Sequence, residues 1–104
     1  MNHSTVEKIT DLARYHSGSV VSTTIMKKKT GTVTLFAFEE HQGLSEHSAP
    51  YDALVQVLEG KTIITISGKD FSLQSGNIII LPANEPHAVR AVTKFKMMLT
   101  MIRD

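Results

Sequence analysis

Apolar residues recur along this chain in short stretches, each closed by a turn signal. Ser19–Met26 (SVVSTTIM) and Thr32–Phe38 (TVTLFAF) flank three lysines and Gly31, and read as a hairpin with the lysines at its solvated end. Ala53–Glu59 (ALVQVLE) follows and then, across Gly60, Lys61–Ser67 (KTIITIS). Ser67-Gly68-Lys69-Asp70 turns the chain into Phe71–Leu73. Asn77–Leu81 (NIIIL) is continuously apolar, the pattern of a strand buried on both faces. Lys94–Ile102 closes the chain, with Met97, Met98 and Met101 as core filling. Many short strands rich in Val, Ile, Thr and Phe, with regular turns, predict an all-β barrel or sandwich. Only Val6–Tyr15 has a helical option, with Val6, Ile9 and Ala13 on one face and Ser4 or Thr5 as cap. Residues 1–18 are therefore expected as an N-terminal arm or short helix and 19–104 as the barrel, within one domain spanning 1–104.

Composition narrows the function classes. The 104 residues are 41% hydrophobic and 20% charged, with a net charge of +1. That balance gives no pull towards nucleic acid or an acidic membrane. There is no cysteine, which excludes disulfides, thiolate ligands and a cysteine nucleophile. The opening MNHSTVEKIT is polar, and no apolar run is long enough to cross a bilayer, so a cytoplasmic location is expected.

The candidate chemistry lies in two histidine segments. In Gly76–Ala91 (GNIIILPANEPHAVRA), a strand runs into a corner built on Pro82, Asn84 and Pro86 and leaves it at His87. The prolines fix φ and remove ladder donors, so the corner is rigid. Strand alternation puts His87, Val89 and Ala91 on one face and Arg90 on the other. Arginine belongs outside, so His87 points in. The other segment, Glu46–Gly60 (EHSAPYDALVQVLEG), carries His47 before an apolar strand. His3, His16 and His41 read as surface or turn residues. No nucleotide-binding glycine loop, helical zinc motif or nucleophile elbow is present.

These two segments resemble the motifs of the cupin superfamily, small barrels of the double-stranded β-helix, or jelly-roll, type, here in its stand-alone single-domain form. The family's second motif, G(X)5PXG(X)2H(X)3N, is met by Gly76, Pro82 and His87, with Asn84 for the middle glycine and Ala91 for the last asparagine. Its first, G(X)5HXH(X)3,4E(X)6G, is met by His47 and Gly60, with His41 where the leading glycine would stand. The resemblance implies a metal site of three histidines and a glutamate, but the second histidine is Ala49 here and the glutamate is Ala53. Two ligands remain, His47 and His87, with Asp52 as a candidate third if the Pro50 region bulges and swings it inward. Strict alternation points Asp52 outward.

Two neutral imidazoles would hold zinc, nickel, iron, copper or manganese only weakly. The function expected is binding of a small molecule, or of a loosely held divalent metal, at the barrel mouth around His47, Tyr51 and His87. The alternative is a metal-dependent oxygenase or isomerase completed by Asp52 or by substrate oxygens, or a metal-free isomerase with a histidine as base and Tyr51 as acid. Catalytic residues are not assigned. A homodimer is expected, partly from the resemblance and partly because open sheet edges gain from pairing.

Overall fold

The computed structural model describes residues 1–103. Nine strands follow one another: β1 (Val20–Lys28), β2 (Gly31–Phe38), β3 (Gly43–His47), β4 (Ala53–Glu59), β5 (Lys61–Ile66), β6 (Lys69–Gln74), β7 (Ile78–Leu81), β8 (His87–Ala91) and β9 (Phe95–Ile102). They form two sheets, ordered β1-β2-β9-β4-β7 and β3-β8-β5-β6. Every pairing is antiparallel. This is the jelly-roll architecture expected of the sequence, with the lysine hairpin joining β1 to β2. No helix among the described residues is long and apolar enough to cross a membrane.

Strand alternation builds the core. Val55 and Val57 of β4, Phe38 of β2, Phe95 and Met97 of β9 and Leu81 of β7 face Ile64, Leu73, Val89 and Ala91 of the other sheet. The Phe38 and Phe95 rings stack with centroids 4.5 Å apart and planes 9° from parallel. Met97 is core, and Met101 packs against the same cluster. Met98 faces the other way, into a second cluster on the outer side of the five-stranded sheet.

The first eighteen residues are an arm. Only Ile9–Asp11 winds, as one 3₁₀ turn, and Val6 is fully in solvent, so the helical face of Val6, Ile9 and Ala13 does not form. Tertiary contact, not helical periodicity, orders this segment. Ala13 is buried against Leu35 and Ala37 on the outer face, with Leu12, Tyr15 and Met98 around it. Lys96, almost wholly buried, donates from Nζ to the Thr10 carbonyl at 2.5 Å, lies 4.8 Å from the Tyr15 ring centre and stands 3.9 Å from Glu59. The Tyr15 hydroxyl donates to Glu59 Oε2 at 3.1 Å. Burial and then the Glu59 carboxylate push that phenol well above its ordinary range.

The apolar run Ile78–Leu81 overturns an expectation. It is not buried on both faces but forms the edge of the five-stranded sheet, with Ile78 63% and Ile80 60% exposed. A continuous apolar strand is equally the signature of a strand whose second face meets something outside the fold, and periodicity alone does not separate the two.

Candidate functional site

The corner between β7 and β8 aims His87. Asn84 adopts φ +67°, the left-handed conformation that asparagine tolerates better than most residues, and the Glu85 N–H closes a turn on the Pro82 carbonyl at 3.3 Å. The corner is stitched to the β3–β4 connection by two hydrogen bonds. Asn84 N–H donates to the Ala49 carbonyl at 2.7 Å, and Ala83 N–H donates to Asp52 Oδ1 at 2.8 Å. On its other side Ser67 N–H donates to the Pro86 carbonyl at 2.8 Å, and the Ser67 hydroxyl to the Glu85 carboxylate at 2.5 Å. The first residue of β8 thus has little freedom.

In register, His87 stands opposite His47, the last residue of β3. The two rings meet edge to face with centroids 4.4 Å apart, and their Nε2 atoms are 3.1 Å apart. His87 is 7% exposed, with Val89 and Ala91 buried on the same face and Arg90 outside, as alternation requires. His47 is exposed at the sheet edge.

The partners of the other ring nitrogens decide the chemistry. His47 Nδ1 lies 2.9 Å from the Ser45 carbonyl, and His87 Nδ1 lies 3.3 Å from the Glu85 carbonyl. A carbonyl only accepts, so each Nδ1 carries the proton. Both Nε2 atoms then carry lone pairs, 3.1 Å apart. Two facing lone pairs repel unless a positive charge lies between them, either a shared proton or a metal ion. Two imidazoles that share one ion, at bonds of about 2.0–2.1 Å and angles from tetrahedral to right-angled, have nitrogens roughly 2.9–3.4 Å apart. The observed spacing fits. Ring nitrogens held by backbone carbonyls are also how proteins orient histidines towards metals. Both carbonyls belong to the main chain, so no residue type in the sequence announces them.

Burial, and then the positive charge of a protonated His47 nearby, hold His87 below the ordinary histidine value of 6.5. Folded His87 therefore resists a proton that the unfolded chain accepts freely. The sign follows from linkage: stability is fully present above the unfolded value and is lost as pH falls through the lower, folded one. The metal-free protein should melt at a lower temperature at pH 5.5 than at pH 7.5. Replacing His87 by Gln should flatten that slope, as thermal scans across this range will show.

Asp52 stands at the corner and is not among the hydrogen-bond partners of either histidine ring. Its carboxylate is engaged with the Ala83 N–H, and among the described residues no group of three His, Cys, Asp or Glu side chains converges on a point. Alternation holds through the Pro50 region: Ala53 is buried in the core and Asp52 is exposed on the outer side. What sequence reasoning missed is that Asp52 ties down the corner that aims His87. Tyr51 lies beneath the Arg103 guanidinium, 5.4 Å from ring centre to carbon, and makes no hydrogen bond to either histidine. Ala49 and Ala53 occupy the positions where ligands would stand, and the core position is filled by a methyl group. Five surface hollows are lined by residues other than the two histidines. His3, His16 and His41 are exposed; His41 adopts φ +68°, the left-handed conformation a glycine would supply at that point.

Residues 34–103 match the family model described as a cupin domain. This chain belongs to the cupin family. Among solved structures, a conserved protein of unknown function from Streptococcus pyogenes superposes with a TM-score of 0.94 at 30% identity, covering 100% of this chain and 91% of the other. A cupin superfamily protein from Desulfitobacterium hafniense gives 0.93 at 22% identity, covering 100% and 95%. A cupin 2 conserved barrel domain protein from Leptotrichia buccalis gives 0.87 at 36% identity over 90% of this chain, which spans 46% of that protein. Comparison with curated proteins finds no match. This cupin keeps the barrel and, of the four ligand positions its family resemblance implies, the two histidines.

Proposed function

We propose that this cupin binds a divalent transition-metal ion weakly between His47 and His87, with the remaining positions left to water or to oxygen atoms of a small organic ligand. The observation that carries this reading is the approach of two Nε2 atoms to 3.1 Å, each ring having a backbone carbonyl at its Nδ1. Zinc, nickel and copper suit an imidazole pair best; iron and manganese depend more on oxygen donors that the ligand would bring. A bound ion would supply Lewis acidity to a coordinated oxygen. The chain's own part is to orient the imidazoles, hold the His87 value down and leave His47 open to solvent. We place the protein in the cytoplasm.

The enzymatic reading, a metal-dependent oxygenase or isomerase, ranks second because Asp52 is tied to the corner, which leaves completion of the site to substrate oxygens. Calorimetric titration of zinc and nickel near pH 7.5 tests both readings. Wild type should bind one ion per chain weakly, and His47→Ala and His87→Ala should each abolish binding. Asp52→Asn, whose amide oxygen can still accept from Ala83, should bind like wild type. Loss of binding in Asp52→Asn with an unchanged melting curve would promote the enzymatic reading. Binding that survives both histidine substitutions would end the proposal. Chelation should barely move the melting temperature, because half-saturation of a weak site stabilises by only about 0.4 kcal/mol.

A further inference from the structure

The inner faces of the strands carry charge of one sign. The acidic residues of the strands are Glu46, Glu59 and Asp70. Glu59 and Asp70 stand opposite Lys96 and Thr65 on outer faces, and Glu46 adjoins the inward His47, so alternation turns it out. Two lysines face inward. Lys69 stands in one row with Ile66 and His87, and Lys27 in one row with Thr32 and Met101. Neither forms an ion pair among the described residues.

Arg103 adds a third cation. It lies two residues beyond Met101, which packs on the core, and its backbone N–H donates to the Thr30 carbonyl at 2.6 Å. Its guanidinium covers the Tyr51 ring, and Tyr51 lies two residues before the core residue Ala53. The Arg103–Tyr51 row therefore stands about 7 Å beyond the Ala53–Met101 row along the strands. This is the end of the barrel where the histidines meet. The Ala49 carbonyl and the Asp52 carboxylate, on either side of Tyr51, hold the corner that aims His87. The protein offers this guanidinium almost no acceptor. Nε is buried without a hydrogen-bond partner, the one side-chain nitrogen or oxygen so placed among the described residues. Nη1 reaches the Lys29 carbonyl only at 3.5 Å, and no carboxylate pairs with the group among those residues. Such a group is rare in a folded protein and asks for a partner.

We infer that the small ligand of this barrel is an organic acid, with one carboxylate held by the Nη groups of Arg103 and its other end towards His47 and His87. The planar guanidinium fork matches the two oxygens of a carboxylate. The Tyr51 face steadies the fork from beneath. Lys27 and Lys69, with no acidic side chain on the inner strand faces to oppose them, draw an anion to the mouth. Tyr51 thus serves as a platform for the cation. The inference deepens the proposed function by naming the class of ligand, and it rests on the metal reading for the far end of that ligand alone.

Titration of the isotope-labelled full chain with malonate and with the longer glutarate, followed by nuclear magnetic resonance with chelator present, tests it. The Arg103 side-chain and Tyr51 ring signals should shift and saturate with at least one of the two acids. Malonamide, the uncharged counterpart, should leave them unmoved. Arg103→Gln should weaken binding at least about tenfold. Arg103→Lys, which keeps the charge without the fork, should fall between Gln and wild type, and thermal melts will show that both variants are folded. Lys69→Gln should weaken binding about two- to threefold, with the difference fading at high salt. Saturating zinc separates this inference from the metal reading. Zinc should tighten binding of the acid by wild type but not by His47→Ala. Acid binding untouched by zinc would remove the metal-bound end and leave the Arg103 site standing. Absence of saturable shifts, or an Arg103→Gln variant that binds as well as wild type, would overturn the inference even where zinc still binds the histidines. Inorganic phosphate binding more tightly than either acid would overturn the assignment of a carboxylate.

Discussion

Zinc should bind the Ala49→His, Ala53→Glu variant at least about a hundredfold more tightly than wild type, a gain of roughly 2.7 kcal/mol. The first substitution returns an imidazole to the connection that the Asn84 N–H already holds through the Ala49 carbonyl. The second returns a carboxylate to the core-facing start of β4. A carboxylate offsets cation charge, which two neutral imidazoles cannot do, and four ligands exceed two. The cost falls on Ala53, buried beside Leu81 and Met101, its neighbours in register. Overfilling there should take about 1–3 kcal/mol from the metal-free variant, and an unpaired carboxylate adds to that. Two measurements separate gain from cost. Calorimetry near pH 7.5 reads the affinity, and melting with and without chelator reads the coupling. Chelator should lower the melting temperature of the variant while leaving wild type almost unmoved. Equal affinity in the two proteins would mean that wild type already has a complete site.

Gly60→Ala should cost the fold roughly 3 kcal/mol. Gly60 turns β4 into β5 at φ +82°, and a Cβ there would run into the carbonyl oxygen of Lys94 and come within 2.5 Å of the Phe95 Cβ. The left-handed backbone alone costs an alanine about 1–2 kcal/mol. The clash adds about 1–3 kcal/mol, because it pushes on a ring stacked against Phe38 at the centre of the core. For a chain of this size the sum lowers the melting temperature by about 15 °C. Gly68→Ala is the control. Its φ is also positive, at +81°, but nothing lies within 4 Å of the added Cβ, so only the backbone share should appear. A Gly60→Ala variant that melts no lower than Gly68→Ala would show that β9 yields to the methyl group.

The site was half legible in the sequence. Two prolines and an asparagine mark the corner, and period-two alternation around Arg90 turns His87 inward, because both are local rules of backbone and solvation. The same rule put Asp52 outside and Ala53 inside, and both stand there. The positions of Asn84 and His41 against family glycines foreshadow their left-handed backbones. The 3.1 Å meeting of the imidazoles was not legible, because it depends on the β3–β8 register across forty residues. Nor was the tautomer of either ring, which is set by the main-chain carbonyls of Ser45 and Glu85.

Local pattern therefore determined the strands, their turns and the inward and outward faces. These follow from steric limits, side-chain alternation and residue chemistry within a few positions. Tertiary structure decided which strands became edges, so that Ile78 and Ile80 came to lie bare where continuous apolarity promised burial. It also decided that the arm lies on the outer face, held there by Lys96, Tyr15 and Ala13. Burial and register are properties of what lies opposite a residue, and in this barrel the residue opposite is usually far away along the chain.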